Sequence, residues 1–149
     1  MSGDSAHLTL MLVNQLREVE RARTAVEEFV AVQGLSSDAG YALTLTLDEV
    51  VMNVIRHAYQ DADEHVIRLR LWLDQDLLSV QVADDGVAFN PLLAPAPDLG
   101  LPIDQRPIGG LGIHIMRTMM DDIEYKRVNG QNLLTLRKRV TRIGPDTVA

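Results

Sequence analysis

Cysteine is missing altogether from this chain of 149 residues, which excludes disulfides, thiolate metal sites and cysteine nucleophiles together. Cations are in short supply: 14 Lys and Arg face 21 Asp and Glu, a formal charge of −7. A general nucleic-acid coat needs a basic footprint and is not expected here. No apolar run approaches the roughly 20 residues that span a bilayer, so no membrane segment is expected. The opening MSGDSAH lacks both the charged and the apolar region of a signal peptide. What is present is 46% hydrophobic and 23% charged residues, the balance of a globular protein rather than a disordered tail. At this length roughly 68–70% of the unfolded chain's surface can be buried. One cytoplasmic domain over residues 1–149 is the expectation.

The cations are also unevenly placed. Lys126, Arg127, Arg137, Lys138, Arg139 and Arg142 put six of the fourteen in the last 24 residues. A solvated strand edge with a basic tail over 140–149 is the plainer reading. A contact for an acidic partner is the functional one.

HLTLMLVNQ alternates as a strand does, with Leu8, Leu10 and Leu12 on one side. Asn14 is the N-cap candidate for a helix carrying Leu16, Val19, Ala22, Val26, Phe29 and Val30 up to Gly34. Ser36, Ser37 or Asp38 caps a second helix running to about Tyr59. VIRLRLWL and LLSVQVAD follow as two strands around a turn at Asp74, Gln75 and Asp76. The segment 87–109 holds all but one of the six prolines and keeps neither period. A loop that long within a compact domain is usually functional or mobile. A third helix is predicted from about Gly112 to Asp121, then strands DIEYKRV and NLLTLRKR joined through Asn129 and Gly130, a strong hairpin signal. The order β-α-α-β-β-loop-α-β-β has no internal repeat. It predicts an α+β two-layer sandwich, a mixed and mostly antiparallel sheet with helices on one face.

Three clusters carry chemistry. Glu49, Asn53 and His57 recur every four residues and stack on one face of the second helix, where a carboxylate among apolar neighbours is costly without a partner or a purpose. Alone they also read as a polar surface stripe; HExxH is missing, so a metalloprotease is excluded. In VADDGVAFNP, Asp84 and Gly86 sit where a strand opens into a loop, and alone read as an ordinary Asp-Gly turn. In RPIGGLGIHIMRTMMD, Gly109, Gly110 and Gly112 precede a helix, whose free N–H groups and positive end can receive phosphate. That cluster is neither a P-loop nor a dinucleotide fingerprint, since GKS/T and a preceding strand are both absent.

In this order, E-x-x-x-N-x-x-H, D-x-G and G-x-G resemble the N box and the two glycine boxes of the GHKL ATPase superfamily. DEVVMNVIRHAY, DDGVAFNP, RPIGGLGIHIMRTMMD and the terminal hairpin resemble its stand-alone anti-sigma factor serine/threonine kinases of bacterial partner-switching systems. The resemblance runs from the first strand through NLLTLRKR and implies the Bergerat fold. It implies ATP and Mg²⁺ as cofactors, with Asn53 holding Mg²⁺ and Glu49 as the catalytic base on the attacking hydroxyl. By the same resemblance Asp84 accepts from the adenine amine, Gly86 leaves room for the ring, and Gly110, Leu111, Gly112 and Ile113 form the phosphate loop. Asn132 lies near a position that supports the adenine end, and 87–109 would be the ATP lid. Phosphoryl transfer needs positioning, charge neutralisation and a base more than covalent chemistry, which suits these roles.

The function implied is an anti-sigma factor that phosphorylates an anti-anti-sigma STAS-domain partner, binds a sigma factor, and is a homodimer. Ala88 departs from the family's usual second glycine, and its methyl narrows the adenine edge. His57 reads better as a helix-end or core residue than as part of the site. Two rivals stand beside this reading: a non-catalytic ATP-gated binding switch, and the catalytic half of a histidine kinase. The latter ranks last because only about a dozen residues precede the first helix.

Overall fold

The structure, a computed structural model, describes residues 5–91 and 110–141. Five strands and three helices appear in the order β1 (Ser5–Val13), α1 (Arg17–Gln33), α2 (Ser37–His57), β2 (Val66–Asp74), β3 (Leu77–Asp84), α3 (Gly110–Met119), β4 (Asp122–Val128) and β5 (Gln131–Arg139). The strands form one sheet in the order β1-β2-β3-β5-β4. All four pairings among the described residues are antiparallel. The sheet is thus the mostly antiparallel one expected, and no parallel pair occurs within the described part.

Period-two patterning decides which side of the sheet is covered. In β2, Ile67, Leu69, Leu71 and Leu73 are all at most 1% exposed, while Arg68, Arg70 and Trp72 alternate onto the other face. Leu12, Val80, Val82, Leu134 and Leu136 continue the buried side across the sheet. Against it lie Val19, Ala22, Val26 and Phe29 of α1, Leu43, Leu47, Val50 and Val51 of α2, and Met116 of α3. Full burial of each such aliphatic side chain is worth about 1.5–3 kcal/mol before entropy. Helix α2 packs against both α1 and α3. This is the two-layer sandwich that the order of elements predicts.

Local signals set most of the boundaries. Ser36 caps α2, its side chain accepting from the Ala39 N–H at 3.2 Å. Asn129 and Gly130 both take positive φ, 51° and 77°, as a tight two-residue hairpin turn requires. Asn14 does not cap α1, whose N-cap is Leu16 without a side-chain bond. Its amide instead accepts from the His65 N–H at 2.8 Å and donates to the Asp63 carbonyl at 3.1 Å. Beside it, Glu18 accepts from the Val13 N–H at 2.9 Å and pairs with Arg21 at 2.7 Å. The Arg21 hydrogen bond first, then the Val13 N–H, hold the Glu18 carboxyl down to about 2. Helix α3 starts at Gly110, two residues earlier than its glycines suggest. No helix among the described residues is long and apolar enough to cross a membrane.

Candidate functional site

Helix α2 carries Glu49 and Asn53 half-buried on adjacent turns, about 6 Å apart along the axis. Neither side chain hydrogen-bonds to a described residue. His57, the last residue of the helix, is exposed. Arg56 beside it supplies positive charge at the helix C-terminus, where the dipole favours it; His57 takes no part in the core.

The end of β3 brings a carboxylate to the C-terminal end of α2. Asp84 is 5% exposed, and its Oδ1 accepts from the Gly86 N–H and from Asn132 Nδ2, each at 2.9 Å. Its Oδ2 has no hydrogen-bond partner among the described residues. Burial, above all, pushes this carboxyl above its ordinary range; the two hydrogen bonds and Arg127 pull the other way, and the Asp85 charge adds to the rise. Helix and turn are locked together by the Val87 N–H donating to the Ala58 carbonyl at 2.8 Å. Glycine is required at 86 for that contact, because a Cβ there would lie 2.4 Å from the Ala58 oxygen. The space that a side chain at 86 would need is taken by the end of α2. From Ala58, Asn53 lies about 7 Å back along the helix.

Asn132 is the register partner of Asp84 across β3 and β5. Besides Asp84, its amide donates to the Val87 carbonyl at 2.8 Å and accepts from the Phe89 N–H at 3.2 Å and the Tyr125 hydroxyl at 2.5 Å. It is 6% exposed. An amide so fully engaged by protein groups positions the turn and Asp84. Arg127, the register partner of Asn132 on β4, donates from Nη1 to the Gly86 carbonyl at 2.8 Å. Reading the sequence overlooks both Tyr125 and Arg127, which sit at alternate positions of a strand and show only as a polar edge. The Tyr59 hydroxyl, just beyond α2, is buried without a partner among the described residues. Burial first, then the charges of Asp84, Asp85 and Asp61, push its pKa well up.

Gly110, Leu111, Gly112 and Ile113 form the first turn of α3 rather than a loop before it. The correction keeps their chemistry, since the first four N–H groups of a helix have no intrahelical acceptor. The segment 87–109 expected as a lid lies outside the described residues after Pro91, as does the tail after Thr141. The described cations of the basic cluster have partners within the chain, and Arg142 lies outside the described residues. Arg137 pairs with Asp122 and Glu124, Lys126 with Glu124 and Arg139 with Asp76, while Lys138 donates to the Met119 carbonyl.

A five-stranded antiparallel sheet with its helices packed on one face is the architecture of a histidine-kinase-like ATPase domain. The histidine kinase-like ATPase domain family matches residues 12–138, and the chain belongs to it. Serine/threonine-protein kinase BtrW of Bordetella bronchiseptica is 35% identical over 96 residues, 64% of this chain and 68% of that protein. Serine-protein kinase RsbW of Bacillus mycoides is 28% identical over 138 residues, 83% of this chain and 86% of that protein. A crystal structure of the RsbU and RsbW domains of Rv1364c from Mycobacterium tuberculosis superposes with a TM-score of 0.68 at 17% identity. It covers 93% of this chain, which spans 34% of that longer one; the likeness is one of fold.

Proposed function

We propose that the chain binds ATP between α2, the end of β3 and the start of α3. With it the chain acts as a protein serine/threonine kinase on an anti-anti-sigma STAS-domain partner, and as an anti-sigma factor toward a sigma factor. One observation carries the reading: the buried Asp84 carboxylate has one oxygen held by two protein donors and the other without a partner among the described residues. Such an oxygen suits an exocyclic amine of a base. The half-buried Glu49, unpaired with any cation among the described residues, suits a general base toward a serine or threonine hydroxyl. The kinase names of the BtrW and RsbW relatives support transfer rather than binding alone.

The donor set also fits Mg²⁺. Among the described residues no group of three or more His, Asp or Glu is arranged to hold a metal ion. An ion held mainly by phosphate oxygens and water, with Asn53 as its protein ligand, matches that sparse set. Bound there, Mg²⁺ neutralises phosphate charge; the chain's own residues orient the hydroxyl and take its proton. Backbone N–H groups of Gly110, Leu111, Gly112 and Ile113 receive the phosphates. We take residues 1–149 as one cytoplasmic domain with 87–109 as its lid, and the chain as a homodimer.

The test compares Glu49→Gln with Asn53→Ala in single-turnover phosphorylation of the partner and in ATP affinity. Glu49→Gln should bind ATP nearly as wild type does and lose about 10²–10⁴ in transfer rate. Asn53→Ala should lose both. Equal transfer by wild type and Glu49→Gln would sink the mechanism. Binding without any transfer by wild type, the true partner supplied, would leave an ATP-gated switch.

A further inference from the structure

Outside the residues assigned above, one cluster of titratable side chains is built around His65, the last residue before β2. Its Nε2 lies 2.7 Å from Asp61 Oδ1, and its Nδ1 lies 3.1 Å from Asp85 Oδ1. The ring is stacked on Tyr59, centroids 4.1 Å apart and planes at 12°. The backbone of His65 is fixed separately by Asn14, whose side chain receives its N–H and whose own N–H donates to its carbonyl at 3.2 Å. Asp61 is steadied in turn by the Asp63 N–H at 3.0 Å. The far edge of this held ring reaches the residue that lies between Asp84 and Gly86.

A neutral imidazole has one N–H and one lone pair, so it donates to a single carboxylate. Carboxylates at both nitrogens require the imidazolium. We propose that His65 is a positioning residue for the nucleotide: protonated, it clamps Asp85 and with it the Asp84–Gly86 turn to the loop after α2, and deprotonated it lets that turn go. The inference rests on Asp84 being the acceptor for the base. The groups around the ring are Asp61 and Tyr59 on its own loop, with Asp63 and Glu64 beside it in the chain, and Asp84 and Asp85 at the end of β3. Asn14 from the end of β1 is neutral, and Arg127 of β4 reaches the same turn through the Gly86 carbonyl. The hydrogen bond to Asp61 first, then the charges of Asp61 and Asp85, raise the ring's pKa.

The sign follows. A raised histidine contributes its full stabilisation below the ordinary imidazole value of about 6.5 and loses it as pH rises through the folded value. The shorter contact keeps the remaining proton, so Asp85, at the longer distance and half-exposed, faces a lone pair and turns to water. Loss of the clamp therefore falls on the turn beside Asp84.

The experiment is calorimetric titration of the full chain with ADP between about pH 6 and 8.5, wild type beside His65→Gln. Gln retains an amide donor and does not titrate, and the ligand's own phosphate titration cancels in the comparison. Wild-type affinity should fall about threefold to tenfold more than that of His65→Gln, the worth of one partly exposed charge-assisted bond. Parallel profiles overturn the proposal. Nuclear magnetic resonance of the nucleotide-free wild type gives a second arm: the Asp85 and Gly86 amides should titrate with the midpoint of the His65 ring, and Asp85→Asn should lower that midpoint. Amides insensitive to the ring, or an unmoved midpoint, also overturn it. If neither protein binds ADP at any pH, the nucleotide reading fails, and the amide titration alone then decides the clamp.

Discussion

Changing Asp84 to Asn should separate stability from binding. Oδ1 of Asp84 is fixed by two donors, the Gly86 N–H and Asn132 Nδ2. An asparagine satisfies both only by placing its carbonyl oxygen there, which forces its NH₂ into the position of Oδ2. A purine amine arriving at that position then meets a donor instead of a charged acceptor. Losing a hydrogen bond to a charged acceptor is worth about 1.5–3 kcal/mol, roughly ten- to more than a hundredfold in Kd. The fold should respond the other way. Burial raises the Asp84 carboxyl, so its ionisation detracts from stability as pH rises through the folded value. Asparagine removes that term while keeping both hydrogen bonds. Without nucleotide at neutral pH, Asp84→Asn should therefore melt at or above the wild-type temperature, and the difference should vanish below about pH 4. Calorimetry with ADP and thermal unfolding across pH measure both. Unchanged ADP affinity would refute the site, and a large loss of Tm would show instead that the charge holds the turn together.

Asn132→Ala removes all four hydrogen bonds of that amide, at about 0.5–1.5 kcal/mol each; urea unfolding should show a loss of about 2–4 kcal/mol, and an unmoved midpoint would contradict its bridging role. Glu18, held down to about 2, stabilises the ionised fold above its ordinary value of 4.5 and loses that contribution as pH falls toward 2. Acid unfolding should thus be shallower in Glu18→Gln than in wild type between those limits. The edge strand β1 offers unpaired backbone groups on its outer side, the ordinary route to pairing with another chain; sedimentation giving a 16.5 kDa monomer at micromolar concentration with nucleotide would count against a dimer.

What the sequence made legible was whatever is decided within a few residues. The alternation of Ile67, Leu69, Leu71 and Leu73, the Ser36 cap and the turn at Asn129 and Gly130 all appear where local chemistry puts them. The misreadings have long-range causes. Asn14 has the chemistry of a cap, but a partner 51 residues away, the His65 N–H, claims its side chain. The close approach that demands glycine at 86 comes from Ala58, 28 residues earlier, which no local pattern announces. Helix α3 begins among glycines, which local propensity disfavours, while Met116 further along it is buried in the core. Of the candidate site, Glu49, Asn53 and Asp84 stand out through the resemblance of their three clusters, taken in order, to a family pattern; the side chains that hold Asp84 do not, because strand pairing alone brings them near.

The strand order has a consequence for how the molecule comes together. Hairpins β2–β3 and β4–β5 each close over a turn of a few residues, whereas β3 meets β5 only after the chain has passed through everything from Asp85 to Gly130. That seam is the late, entropically expensive closure, and Asp84 and Asn132 face each other across it. A ligand gripped by Asp84 therefore recognises only chains whose two halves have already zipped. It should slow amide exchange along β3 and β5 before any other pair of strands.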